Sequence, residues 1–138
     1  MDRFTYDAPD ETATARLGAA LAEILPDGSV VALSGTLGAG KTRLVQAIAE
    51  AAGVDRRDVV SPTFVLVREY GTGGSRRIVH VDAHRLRSSD ELTSLGSDDF
   101  LGVEGISFIE WADRVIDALP RPCLAVRMTH LSETGRRI

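Results

Sequence analysis

The chain predicts an α/β fold with a mixed, mostly parallel central sheet, and three observations carry that reading. Short apolar runs rich in Val and Ile recur along the sequence, as strands buried on both faces do. The first is followed at once by a glycine-rich loop and a stretch of helical periodicity, the order of a phosphate-binding α/β unit. Two later runs are joined by Gly71-Thr72-Gly73-Gly74, which grafts an antiparallel hairpin onto the parallel sheet.

The elements follow in order. Residues 3–6 read as a short strand. Pro9-Asp10-Glu11 opens a helix carrying Leu17, Leu21, Ile24 and Leu25, which Pro26-Asp27-Gly28 stops. Residues 29–34, SVVALS, form a buried strand, and residues 42–52 a helix with Leu44, Ile48 and Ala52 on one face and Gly53 as its cap. Residues 64–70 and 78–81 are the hairpin strands, and Ser88 or Ser89 starts a short helix that runs to Leu95. Residues 106–109 and 124–128 are further buried strands, and no internal repeat is visible.

Composition bounds the function classes. At 138 residues and 43% hydrophobic content, one domain spanning residues 1–138 is expected. A lone Cys123 excludes a disulfide framework. With neither a signal pattern nor an apolar run of membrane length, cytoplasm is the expected compartment and no membrane the expected partner. A net charge of −4 argues against a broad nucleic-acid-binding surface, and the pairs Arg56-Arg57, Arg76-Arg77 and Arg136-Arg137 read first as solvated loop charges.

Gly35-Thr36-Leu37-Gly38-Ala39-Gly40-Lys41-Thr42 is a full G-x-x-x-x-G-K-[ST] pattern, which arises by chance in about one in a thousand sequences of this composition. With a strand before it and a helix after it, the fold class narrows to a three-layer sandwich like that of P-loop NTPases. The amides of Leu37, Gly38, Ala39 and Gly40 then face phosphate oxygens at a helix N-terminus, and the Thr42 hydroxyl is placed for Mg²⁺. Lys41 is the single lysine, the other fifteen of sixteen basic residues being arginine. A compact ammonium fits between β- and γ-phosphate oxygens where a planar guanidinium is too broad.

Two apolar strands close on a carboxylate, Asp82 after Ile78-Val79-His80-Val81 and Glu110 after Ile106-Ser107-Phe108-Ile109. Either fits the acidic residue that a phosphate-loop ATPase sets at a strand end toward Mg²⁺, and the other can orient or deprotonate the attacking water. Their pattern does not rank them. Thr63, in Ser61-Pro62-Thr63, lies where nucleotide-sensing loops run, although a proline-marked loop before a strand explains it equally well. Trp111 reads as core packing or as a wall beside the nucleotide. His80 alternates within its strand, and His84, His130 and Cys123 lack zinc-ligand spacing.

Taken together, GTLGAGKT at 35–42, SPTFVLVREY at 61–70, HVDAHRL at 80–86, DELTSLG at 90–96 and IEW at 109–111 resemble, in order, the bacterial ATPase family of tRNA threonylcarbamoyladenosine synthesis, TsaE. The resemblance spans nearly the whole chain. His84 stands where the family usually has Tyr, Ala83 where a larger apolar residue is common, and Thr36 where an acidic residue is frequent. The chain ends at Gly135-Arg136-Arg137-Ile138, where the family completes a last strand, so a shortened tail is expected.

The resemblance implies an Mg²⁺-dependent ATPase, weak alone, that binds and resets a two-protein threonylcarbamoyl transferase complex of the TsaB and TsaD type. tRNA is met only through that complex. By position it implies Lys41 on the β/γ-phosphates, Thr42 and Glu110 on Mg²⁺, Asp82 in hydrolysis, Thr63 as γ-phosphate sensor and Trp111 near the site. The backbone around Glu11 would help hold adenine. The rivals are a non-catalytic nucleotide-binding adaptor and a small-molecule kinase, the latter weakened by the absence of a visible lid segment. A GTPase is disfavoured because N-K-x-D is missing. Lys41→Arg is expected to lose most ATP binding or turnover despite its retained charge. Isothermal titration with ATP and Mg²⁺ checks this, and near-normal affinity with near-normal turnover contradicts it.

Overall fold

A computed structural model describes residues 3–35, 40–54, 67–71, 76–120 and 122–138. In chain order these contain β1 (Asp7–Ala8), α1 (Glu11–Ile24), β2 (Ser29–Gly35), α2 (Lys41–Ala51), β3 (Val67–Tyr70) and β4 (Ile78–Asp82). They continue with α3 (Ser89–Ser94), α4 (Ser97–Phe100), β5 (Ile106–Glu110), a 3₁₀ segment (Ala112–Ala118), β6 (Leu124–His130) and β7 (Arg136–Arg137). The sheet order is β1-β7-β6-β2-β5-β4-β3. Its centre, β6-β2-β5-β4, is parallel, while β3 pairs antiparallel with β4 and β7 pairs antiparallel with β6 and β1. The mixed, mostly parallel α/β sheet expected from the sequence is therefore the one formed.

Period-two alternation divides β2 between two cores. Val31 and Leu33 join Leu44, Val45, Ile48 and Phe108 on the α1/α2 face. Val30 and Ala32 join Val81, Leu92, Ile109 and Val115 on the face covered by α3, α4 and the 3₁₀ segment. Helical cover on both sides explains why the central strands read as unbroken apolar runs. Gly35 closes β2 at φ 141°, and a Cβ there would lie 2.1 Å from the Met128 carbonyl oxygen. Only glycine permits that approach of β2 to β6 before the chain turns away.

Three expectations are corrected. The first strand is Asp7–Ala8, not residues 3–6, because its partner is the two-residue β7 at 136–137 and Pro9 ends the pairing; Tyr6 still exchanges both backbone hydrogen bonds with Ile138, at 2.8 Å each. The Asp7 carboxylate accepts two hydrogen bonds from Arg137, which hold its pKa below the usual range and raise that of Arg137. The buried stripe of α1 is Ala13, Thr14, Gly18 and Ala22 rather than the leucines, and Ile24 is 72% exposed. Small residues are needed there because α1 lies directly on α2, so that a Cβ on Gly18 would sit 2.6 Å from that of Ala47. Leu21 and Leu25 pack at the margin of the core. Finally, α4 and the 3₁₀ segment occupy stretches where no helix was expected.

Two helix ends follow capping rules. Asp10 caps α1 by accepting the Ala13 N–H at 2.9 Å. After α2, the N–H of Gly53 donates to Glu50 and that of Val54 to Ala49, as in a glycine-terminated helix. Gly18→Val is expected to destabilise the fold by about 1–3 kcal/mol through overpacking between α1 and α2. The urea unfolding midpoint measures it, and an unchanged midpoint contradicts the close-packed seam.

Candidate functional site

Parallel pairing sets the strand ends level with one another. Leu33 is opposite Glu110 and Asp82 is opposite Glu110, so both carboxylates stand at the edge from which β2 leads to α2. Ligands of open α/β sheets bind outside this carboxyl edge. Asp82 and Glu110 are nevertheless 8% and 5% exposed, deep for carboxylates.

Gly40 precedes α2 in the left-handed conformation at φ 92° and, having no side chain, cannot itself cap the helix. The first turn of α2 carries the positive end of the helix dipole. Lys41, the first residue of α2, is 7% exposed; its Nζ donates to the Gly35 carbonyl at 3.0 Å and lies 5.1 Å from the Trp111 ring centroid. Thr42 follows, half-buried, on the same turn. Leu37, Gly38, Ala39 and Thr63 lie outside the described residues.

The carboxylates are held differently. Glu110 Oε2 is 2.8 Å from His80 Nε2, in a contact whose two side chains are 7% and 0% exposed. Asp82 Oδ1 accepts the His84 N–H at 2.9 Å, and the Ala83 N–H donates to the Glu110 carbonyl at 3.0 Å. Trp111, immediately after Glu110, has φ 60° and ψ 37°, the one non-glycine positive φ among the described residues. Its ring packs against His84, 4.8 Å between centroids, and Arg114 lies 6.0 Å from it.

Lys41, Thr42, Asp82, Glu110 and Trp111 therefore gather around one sheet edge. Glu11 does not belong to that edge: it stands exposed in the first turn of α1, beside the Asp10 cap. His80 and His84 are the residues that sequence reasoning missed. The signal for His80 was available, since Ile78, His80 and Asp82 alternate onto one face, and so do Ile106, Phe108 and Glu110. Placing the two strands in register makes His80 a diagonal neighbour of Glu110.

The donor chemistry suits a magnesium nucleotide. Among the described residues, no three His, Cys, Asp or Glu side chains gather as ligands. Mg²⁺ asks for less, one or two carboxylates with a hydroxyl, phosphate oxygens and water completing its shell. A buried ammonium at the first residue of α2 is the group that could hold the accompanying phosphates.

A family model described as Threonylcarbamoyl adenosine biosynthesis protein TsaE matches residues 8–138. The chain belongs to the TsaE family. Relatives described as tRNA threonylcarbamoyladenosine biosynthesis protein TsaE include that of Treponema pallidum, 34% identical over 91% of this chain and 90% of the relative. That of Bacillus subtilis is 37% identical over 94% and 78%, and that of Streptomyces coelicolor 40% identical over 81% and 76%. Among solved structures, Bacillus subtilis YdiB superposes with a TM-score of 0.77 at 25% identity, covering 97% of this chain and 81% of that one. The TsaE fold thus spans the described sheet and both helical layers. No helix among the described residues is long and apolar enough to cross a membrane.

Proposed function

We propose that this protein binds and hydrolyses ATP with Mg²⁺ and that hydrolysis resets a partner complex in the synthesis of threonylcarbamoyladenosine on tRNA. The family's part in that biosynthesis is given by its description. The single observation that carries the hydrolytic reading is the meeting, at one sheet edge, of the α2 start, the buried Lys41 and two level carboxylates.

In this reading the amides of Leu37, Gly38, Ala39 and Gly40 cradle the phosphates. Lys41 exchanges the Gly35 carbonyl for β/γ-phosphate oxygens, a short movement of an amine already buried at the loop. Thr42 and Glu110 hold Mg²⁺, which neutralises charge developing on the phosphates. Asp82 keeps one oxygen on the His84 N–H and accepts a hydrogen bond from the attacking water with the other. Thr63 reports the γ-phosphate, the backbone near Glu11 supports adenine, and the Trp111 ring covers the lysine.

The assignment separates the two carboxylates. Glu110→Ala is expected to raise the Mg²⁺ requirement steeply, whereas Asp82→Asn leaves nucleotide binding near normal and slows turnover about a hundredfold. Magnesium titrations of ATP binding and single-turnover rates for both variants decide it. The reverse pattern exchanges their roles, and wild-type behaviour in both makes them mere strand ends.

Activation in trans follows from the same site. With a net charge of −4, independent capture of tRNA is disfavoured, so the partner proteins of the TsaB and TsaD type present it and complete the hydrolytic site. Turnover is expected to rise when they are added. Cells depleted of this protein should accumulate tRNA lacking the modification, restored by the wild type but not by Lys41→Ala. Mass spectrometry of digested tRNA reads this, and unchanged modification on depletion contradicts it.

A further inference from the structure

We propose that His80 is the positioning residue for Glu110, fixing one carboxylate oxygen so that the other meets the divalent cation in a single orientation. The inference rests on the magnesium reading of Glu110 given above. His80 occupies the middle of β4, paired with Arg68 of β3 on one side and Phe108 of β5 on the other, and is 0% exposed. An imidazole there has no route to water. It meets Glu110 Oε2 at 2.8 Å through Nε2, while its Nδ1 has no hydrogen-bond partner among the described residues.

That asymmetry assigns the tautomer. A proton on Nδ1 would leave a buried donor unsatisfied, which costs more than an unmatched lone pair. Of the two tautomers, the one protonated at Nε2 therefore fits, with the N–H donating to the carboxylate and Nδ1 keeping its lone pair. Glu110 needs such a restraint because its backbone leads directly into the left-handed Trp111, and the Ala83 N–H fixes only its carbonyl. Oε1 is left for the cation. Hydrogen-bonded supports of this kind, behind a metal-binding carboxylate, remove the freedom that would otherwise be lost on binding.

The test compares wild type, His80→Leu, His80→Gln and Glu110→Ala, using calorimetric titration of ATP at graded Mg²⁺ together with ¹⁵N spectra of the histidine rings in metal-free protein. His80→Leu is expected to raise the Mg²⁺ concentration needed for ATP binding about tenfold. Binding of ATP without Mg²⁺ stays unchanged, and His80→Gln, whose amide N–H replaces Nε2–H, recovers most of the loss. In the metal-free spectra, His80 is protonated at Nε2 and its resonance moves in Glu110→Ala. If His80→Leu keeps the wild-type Mg²⁺ requirement while Glu110→Ala raises it, the positioning role is overturned and the metal reading stands. If Glu110→Ala changes nothing, the metal reading falls and this inference with it. Should His80→Leu fail to fold, a His80→Gln protein with the requirement of Glu110→Ala, or a ring protonated at Nδ1, overturns the proposal.

Discussion

The parallel register of β2, β5 and β4 is the constraint on which the rest depends. One pairing, with Glu110 opposite both Leu33 and Asp82, levels two carboxylates at the edge where α2 begins. A slip of one residue in β5 would exchange its faces, sending Glu110 toward the α3 side and Ile109 into the polar edge. The apolar alternation of Ile106 and Phe108 on one face and Ile109 on the other makes that slip costly. Core packing and site geometry are thus one requirement, met by the same five residues of β5.

At the end of that strand the chain adopts a conformation that costs about 1–3 kcal/mol for a side chain as large as tryptophan. Several contacts offset it. The Glu110 carbonyl accepts the Ala83 N–H, the Trp111 carbonyl accepts the Arg114 N–H at 3.1 Å, and the indole packs near both the Lys41 ammonium and the His84 ring. The left-handed turn directs the chain away from the sheet edge directly after the carboxylate, while the ring stays over the lysine. An extended residue in its place would continue β5 across the edge that α2 faces. Strain retained at this position is consistent with a side chain kept for what it covers.

Much of this was legible in the sequence. The strand Ser29–Gly35 and the helix Lys41–Ala51, the antiparallel pairing of Val67–Tyr70 with Ile78–Asp82, and both strand-end carboxylates follow from local patterns that tertiary structure did not override, while residues 36–39 and 72–75, the glycine loop and the hairpin turn, lie outside the described residues. What was not legible depended on partners distant in the chain. β1 is placed by residues 136–137, more than a hundred positions away, and no local signal separates residues 3–6 from 7–8. The small residues buried on α1 carry little hydrophobic signal of their own, and the close approach of α2 that selects Gly18 is set by a partner helix. The contact of His80 with Glu110 was not read from the sequence for a similar reason: it lies in the register with β5. The left-handed conformation of Trp111 has no signature in its own residue type.

The central claim is that this sheet edge is a magnesium–ATP site, and a crystal structure with a non-hydrolysable ATP analogue and Mg²⁺ tests it most directly. The account predicts that Lys41 Nζ leaves the Gly35 carbonyl for β/γ-phosphate oxygens, with the metal bound by Thr42 and Glu110 and the Asp82–Glu110 register unchanged. Nucleotide bound elsewhere, with Lys41 still on Gly35 and no metal at Glu110, would contradict it.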